Sequence, residues 1–232
     1  MSQPDTQPDP APRSVNPWTI WIPIIIIMLG GVVFYNYLWQ QSMKRDKDRP
    51  PYLGRLENDL ELTERSGKSV HLAELRGKVI IAGYVYTRCP RGCALVVSKM
   101  KKLYEEFGAD PAIQFISFTV DPEDTPQTLA EFAGRFGITQ DNWWFVNGPK
   151  EQVRGYLTFQ FKFAGVKEIP EAERFNPDDK YIHDMKVALV DHKGNVRGHY
   201  DIANMDPEYE GFWKEKIRQD LKWVLAEQKS GK

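Results

Sequence analysis

The longest apolar pattern in the chain is the run WTIWIPIIIIMLGGVVFYNYLW at residues 18–39, which contains no charged side chain. At 1.5 Å per residue it covers about 33 Å as a helix, enough for a hydrocarbon core of about 30 Å. Trp18 and Trp21 mark one interface, and Tyr35, Tyr37 and Trp39 mark the other. A cleaved signal peptide would need a basic start and a small-residue cleavage site. Arg13 is the sole basic residue ahead of the run, and nothing like Ala-x-Ala follows it. Four consecutive isoleucines between aromatic belts leave no polar face for a soluble helix. The pattern therefore predicts an uncleaved transmembrane anchor at 18–39. Residues 1–17, rich in Pro, Asp and Gln with no apolar period, are expected to be a disordered tail. Residues 40–52 read as a charged linker ending in Pro50-Pro51.

Beyond the linker, residues 53–232 have the length of one domain. ELTERSGKSVHL (61–72) predicts a hairpin around Ser66-Gly67. KVIIAGYVY (78–86) and IQFISFTV (113–120) are continuous apolar runs of the kind found in buried strands. Between them, Leu95, Val96, Met100, Leu103, Tyr104 and Phe107 recur with a helical period over 94–107. Thr125 caps a helix that has Pro126 at its first position and is stopped by Gly137. NWWFVN (142–147) reads as a short strand, with Trp143 and Trp144 filling core and rim, and GPKEQVRGYLTFQF (148–161) as a helix. KVALVD (186–191) and NVRGHYD (195–201) flank the turn His192-Lys193-Gly194, and 207–228 is an amphipathic helix. Strand–helix–strand–helix followed by an antiparallel pair and a helix is an α/β, thioredoxin-like plan: a mixed sheet flanked by helices on both faces.

Charge removes one class of function. With 31 Lys and Arg against 32 Asp and Glu, the net charge is -1, which argues against nucleic-acid binding. A hydrophobic content of 41% with 27% charged residues excludes wholesale disorder. Two cysteines cannot form a disulfide framework or a four-cysteine zinc site. The serine-hydrolase, P-loop and dinucleotide-binding glycine patterns do not occur.

Those two cysteines carry the candidate chemistry. TRCPRGCAL places Cys89 and Cys93 directly after the first buried strand, four positions apart. Cys89 precedes a proline and is biased out of the helical region. Pro90 suits a first helical position, which would put Cys93 in the first turn. Both sulfurs would then lie near a helix N-terminus, whose partial positive charge favours thiolates, with Arg88 and Arg91 adding cationic charge. The thiolate is both the nucleophile of disulfide exchange and a soft metal ligand. In a regular helix such a pair has Cβ atoms about 5–6 Å apart, whereas an unstrained disulfide needs about 3.8 Å. The pair must leave helical geometry to close a disulfide, and it holds one soft ion with less distortion. Two merely structural cysteines are the plain alternative, but both sit together on one strand-to-helix turn, which argues against it.

The order of these features resembles the Sco family of membrane-anchored, thioredoxin-like copper chaperones, named for synthesis of cytochrome c oxidase. A single N-terminal anchor precedes a strand that runs into Cys-Pro-x-x-Cys. VDPEDTPQTLAEFAGRFG (120–137) is similar to the family's Val-Asp-Pro…Asp-Thr-Pro…Leu pattern, and His183 in YIHDMKVALVD precedes a strand ending in Asp. The resemblance spans roughly 53–228. It implies one copper ion, as Cu(I) or Cu(II), on Cys89, Cys93 and His183. Two thiolates and an imidazole suit trigonal Cu(I), while Cu(II) needs a further ligand or water. Asp121 matches a family aspartate near the site and is expected behind the ligands, orienting His183 or tuning the thiols. The other histidines, His71, His192 and His199, are not expected to ligate. Met185 and Met205 are soft but read as core.

The chain departs from the family pattern at Arg91-Gly92, where Asp-Val is common, at Ala94 in place of Pro, and at Ile182 ahead of the histidine. A basic residue between the cysteines should depress thiol pKa further and disfavour a bound cation, which weighs toward redox chemistry. The resemblance implies a copper-delivery protein rather than an enzyme. It would pass copper to the binuclear centre in the copper-site subunit of a cytochrome oxidase. The alternative is a membrane-anchored thiol–disulfide oxidoreductase that reduces partner cysteines, with a thioredoxin-like protein as its own reductant. An interaction module with a vestigial site is a third class. Topology has two conflicting signals. Lys44, Arg45, Lys47 and Arg49 after the span, against Arg13 before it, would hold the domain in the cytoplasm. The family and an exposed dithiol favour the periplasmic face of an inner membrane, or an equivalent oxidising compartment.

Overall fold

The two β-branched runs lie side by side in the sheet, and the polarity of their neighbours decides which elements cover each face. The computed structural model describes residues 16–47 and 49–231; the tail expected at 1–17 falls, for residues 1–15, outside the described residues. The chain divides into two units, Met1–Arg49 and Pro50–Lys232. In the first, helix α1 (Trp18–Lys47) is long and apolar enough over Trp18–Gln41 to cross a membrane once, and none of that window is buried. The helix does not stop at Trp39, where the linker was expected. Gln, Met, Lys and Arg all favour helix, and the backbone continues through Lys47.

The second unit begins with β1 (Gly54–Arg55) and the hairpin β2 (Glu61–Glu64) and β3 (Ser69–His71). Strand β4 (Val79–Val85) leads to α2 (Cys93–Phe107), β5 (Ile113–Thr119) and α3 (Pro126–Arg135). Strand β6 (Trp143–Asn147) and α4 (Lys150–Phe159) follow. A small excursion contains β7 (Lys167–Glu168) and β8 (Tyr181–Ile182). Strands β9 (Val187–Val190) and β10 (Asn195–Tyr200) and helix α5 (Pro207–Lys229) end the domain. The strand order is β1-β10-β9-β4-β5-β6-β2-β3; β4, β5 and β6 run parallel, and β9 pairs antiparallel with β4. β7 and β8 pair only with each other.

Every residue of β4 and β5 is buried, and the two-residue period sorts them between two cores. Val79, Ile81 and Val85 face Val97 and Met100 of α2, Leu129 of α3 and Leu221 of α5. Ile80, Ala82 and Tyr84 face Val153 and Leu157 of α4 with Phe161 and Phe163. Helices thus cover both faces, as the sequence pattern predicts. Gly83 lets α2 cross close over β4: a Cβ there would lie 3.2 Å from the Met100 sulfur, which would have to shift. Trp143 is fully buried, with its indole N–H donating to Ser117 at 3.1 Å, and Trp144 is half-buried at the rim.

One buried cation fixes the start of the domain. The register of β10 shifts between Val196 and Gly198, so Arg197 occupies a bulge and its side chain turns inward with no exposed surface. Its guanidinium meets Asp191 at 2.9 Å and Glu227 at 2.7 Å, donates to the Pro50 carbonyl at 2.8 Å and the Pro51 carbonyl at 3.1 Å, and lies 4.2 Å from the centre of the Tyr52 ring. It therefore ties the incoming chain to β9, β10 and α5. Arg197→Met should destabilise the domain by about 3–5 kcal/mol, because the buried Asp191 carboxylate loses its cation and the Pro50 and Pro51 carbonyls lose their donor. Denaturant unfolding of the full chain in detergent measures this, and a loss below about 1 kcal/mol would contradict the clamp.

Candidate functional site

The site forms where loops leave the carboxyl ends of the adjacent parallel strands β4 and β5, a place where open α/β sheets have a crevice. Strand β4 ends at Val85, and the chain turns through Tyr86–Gly92 before α2 begins at Cys93. The helix therefore starts three residues later than Pro90 suggested. Gly92 precedes it with φ +134°, a backbone region glycine enters without strain. A Cβ at Gly92 would also meet the Met185 methyl at 3.1 Å. This turn takes the two cysteines out of helical spacing: Cys89 lies in the loop and Cys93 in the first helical turn.

The loop is pinned from below. Thr87 donates to the buried Asp124 carboxylate at 2.5 Å through its hydroxyl and at 3.2 Å through its backbone N–H. Thr119 donates to the same carboxylate at 2.5 Å. Burial pushes the Asp124 carboxyl up, and these three donors oppose it. The Cys89 N–H donates to the Tyr86 carbonyl at 3.0 Å, and the Tyr86 hydroxyl donates to the Asp178 carbonyl at 2.7 Å.

His183 arrives from the excursion, one residue after β8. Its ring packs on Tyr84 of β4 at 5.4 Å between centroids. Its Nδ1 lies 2.9 Å from the Asp184 carbonyl oxygen. A carbonyl can only accept, so Nδ1 carries a proton and the other ring nitrogen, Nε2, faces the sulfurs. Nε2 lies 3.1 Å from Cys93 Sγ. The ligand atoms of Cys89, Cys93 and His183 all fall within 4.8 Å of one another. Cys93 is buried, while Cys89 and His183 are half-buried.

The two thiols are electrostatically unequal. The Cys89 thiol is held down to about 4, first by a hydrogen bond from the Cys93 thiol; burial opposes this, and His183 and the N–H groups of Cys93 and Arg91 support it. The Arg91 N–H lies 3.4 Å from Cys89 Sγ. The Cys93 thiol is pushed well above its ordinary value, first by the hydrogen bond to Cys89 and then by burial. One sulfur is a thiolate at neutral pH and the other keeps its proton.

The arginines act differently from the sequence expectation. The Arg91 guanidinium does not lie free beside the thiols: its Nε and Nη2 pair with both carboxylate oxygens of Asp179, whose side chain has no exposed surface. Its backbone N–H reaches Cys89 directly, while the guanidinium, paired with Asp179, acts on that thiolate only at a distance. Arg88 is held by Asp121 at 2.8 Å and Glu123 at 2.6 Å, with Asp178 at 3.7 Å. Asp121, expected to orient His183 or tune the thiols, directs its carboxylate to Arg88, to the Glu123 N–H at 3.0 Å and toward the Tyr181 hydroxyl at 3.5 Å. It reaches the cysteine loop through Arg88. Asp124, Asp178 and Asp179 were not singled out from the sequence, although Asp124 lies inside the VDPEDTP segment that was.

The remaining candidates lie elsewhere. His71 pairs with Asp59 at 2.8 Å, His199 Nε2 contacts the Phe161 carbonyl at 2.8 Å, and His192 sits in the β9–β10 turn. Met185 packs on the core beside Gly92, as read from the sequence, whereas Met205 is 88% exposed and belongs to no core.

Comparison with known proteins agrees with this geometry. The chain is 34% identical over 146 residues to a SCO1 protein homolog of Bacillus subtilis (strain 168), an alignment covering 62% of this chain and 72% of that one. It is 29% identical over 148 residues to a protein of Stutzerimonas stutzeri named as a candidate for copper binding, covering 60% and 66%. Among solved structures it resembles BsSco, described for a disulfide switch and as a member of the Sco family of cytochrome c oxidase assembly proteins. The match has 27% identity and a TM-score of 0.58, and covers 74% of this chain and 97% of that one. The SCO1/SenC family model matches residues 50–217, which include the cysteine loop, the buried carboxylates behind it and His183, and the chain belongs to that family.

Proposed function

We propose that Cys89, Cys93 and His183 take copper as cargo and that the chain hands it to the binuclear copper centre of a cytochrome oxidase. The observation that carries this reading is the convergence of three soft donors within 4.8 Å. Two sulfurs and an imidazole nitrogen suit Cu(I). A structural zinc site takes four protein ligands, and among the described residues this group offers three. Because Cys89 and His183 are half-buried, a partner's ligands can approach the ion and exchange with them. The Sco relatives' place among oxidase assembly proteins supports the recipient. Titration of the reduced chain with Cu(I) against a chromophoric chelator is expected to give one tight equivalent. Cys89→Ala, Cys93→Ala and His183→Ala should each weaken it by more than the roughly 10–100-fold that loss of an outer partner costs. Unchanged affinity in His183→Ala would sink the three-ligand reading.

The unequal thiols favour a second reading, thiol–disulfide exchange with partner cysteines. Cys89 is the half-buried thiolate and the attacking sulfur, and Cys93 is the protonated, buried partner that resolves the mixed disulfide. A depressed pKa keeps the thiolate above that value and loses it as pH falls through it. Alkylation of Cys89 by iodoacetamide should therefore hold steady from neutral pH downward and fall with a midpoint near about 4. A midpoint near the free-thiol value of about 8.5 would remove the basis for this role.

We place α1 across the inner membrane and the domain in the periplasm, where dithiol chemistry is sustained. The basic residues after the span favour the opposite side. Protease added to intact spheroplasts decides between them: digestion of the domain is the expected result, and protection would put it in the cytoplasm.

A further inference from the structure

Strand β4 carries a second feature at its other end. A cavity of about 490 Å³ opens beside Lys78 and Ile80, where β4 begins, whereas the cysteines follow its last residue. Seven strand residues span about 23 Å, so the two features are separate. The cavity is walled by β1, the turn before β4 and the β9–β10 turn. Arg55, Arg76, Lys78 and Lys193 line it, and none of these side chains has an ion-pair partner among the described residues.

Five arginines elsewhere on this domain are paired. Arg88, Arg91, Arg154, Arg197 and Arg218 all hold carboxylates. The four cavity cations break that pattern. Two acids share the lining, Glu57 and Asp191. Asp191 is already committed: it accepts from the N–H groups of Lys193 and Asn195, both at 2.9 Å, and from Arg197 at 2.9 Å. Burial pushes its carboxyl up, but these donors outweigh it and hold it below the usual range, so it stays an anion spent on its own turn. His192, also in the lining, has its Nδ1 buried with no hydrogen-bond partner among the described residues. Leu72, Leu75 and Ile80 supply an apolar wall.

We infer that this cavity binds a phosphate-bearing anion. Arginine presents a planar fork that matches phosphate oxygens, and lysine adds point charge. The volume lies within the range of small-molecule sites and exceeds what a bare inorganic ion needs. The same chemistry is offered by a free phosphorylated metabolite and by a phospholipid headgroup.

The test uses the full, metal-free chain in phosphatidylcholine nanodiscs, with inorganic pyrophosphate as the probe and calorimetry as the readout. Saturable binding that weakens with added salt is expected. The double variant R76Q/K193Q should lose about tenfold or more in affinity, and Arg55→Gln, on a different element, should weaken it as well. Absence of saturable binding, or full affinity in the double variant, would overturn the assignment. Repeating the titration in discs of equal phosphatidylcholine and phosphatidylglycerol separates the sources. Weakened pyrophosphate binding there identifies the headgroup as occupant, and unchanged binding identifies a free anion.

Discussion

The pairing of Arg91 with Asp179 is the contact on which the site depends. It joins the loop that carries both cysteines to the excursion that carries His183. The strands of that excursion, β7 and β8, pair only with each other and add nothing to the main sheet, so side-chain contacts hold it; Lys180 on Glu123 at 2.8 Å and Arg154 on Glu168 at 3.1 Å add to this pair. Asp179 has no exposed surface and also accepts from the Phe175 N–H at 3.0 Å, so its carboxylate is surrounded and needs a cation. Arg91 supplies that cation from between the two cysteines. The Tyr86 hydroxyl on the Asp178 carbonyl makes a second tie between the same two segments. Nitrogen and sulfurs from segments some ninety positions apart meet because these polar contacts leave the excursion few other places to lie.

The same contact settles the electrostatics of the cysteines. A free guanidinium beside two sulfurs would repel an incoming metal cation and would act on both thiols. Paired with Asp179, Arg91 brings almost no net charge to the loop, and Arg88 is offset in the same way by Asp121 and Glu123. What remains is short-range. A thiol proton and backbone N–H groups select Cys89 for ionisation, while the hydrogen bond to Cys89, helped by burial, keeps Cys93 protonated. The substitution that looked hostile to a metal in the sequence is thus compatible with one in the fold.

The sheet and its helices were legible because each rests on a local pattern. The apolar runs became β4 and β5, the Thr125-Pro126 cap opened α3, and the turn at 192–194 joined β9 to β10. The excursion from Phe161 to Lys186 was not legible, since its polar, aperiodic sequence takes shape from tertiary contacts alone. The start of α2 was misread because Pro90 is a good first helical residue and Gly92, with its positive φ, overrode it. The sequence supplied the trio itself through motif order. The carboxylates behind it were hidden, because a buried aspartate paired across 88 positions has no signature in either neighbourhood. Arg197 was hidden for a related reason: a bulge reverses the facing that strict alternation assigns to it.

The proton on Cys93 gives the site a further property. A metal seated between the sulfurs must displace that proton, so occupancy and acidity are linked quantities. An ion bound there would release a proton from a thiol that its hydrogen bond to Cys89 and then burial hold above its ordinary value, and a proton regained would weaken the grip. Affinity for the ion would then be set partly by the surrounding pH and not by the ligands alone. On the proposed three-ligand reading, a mildly acidic space would loosen the ion's hold, and no rearrangement of the fold is required.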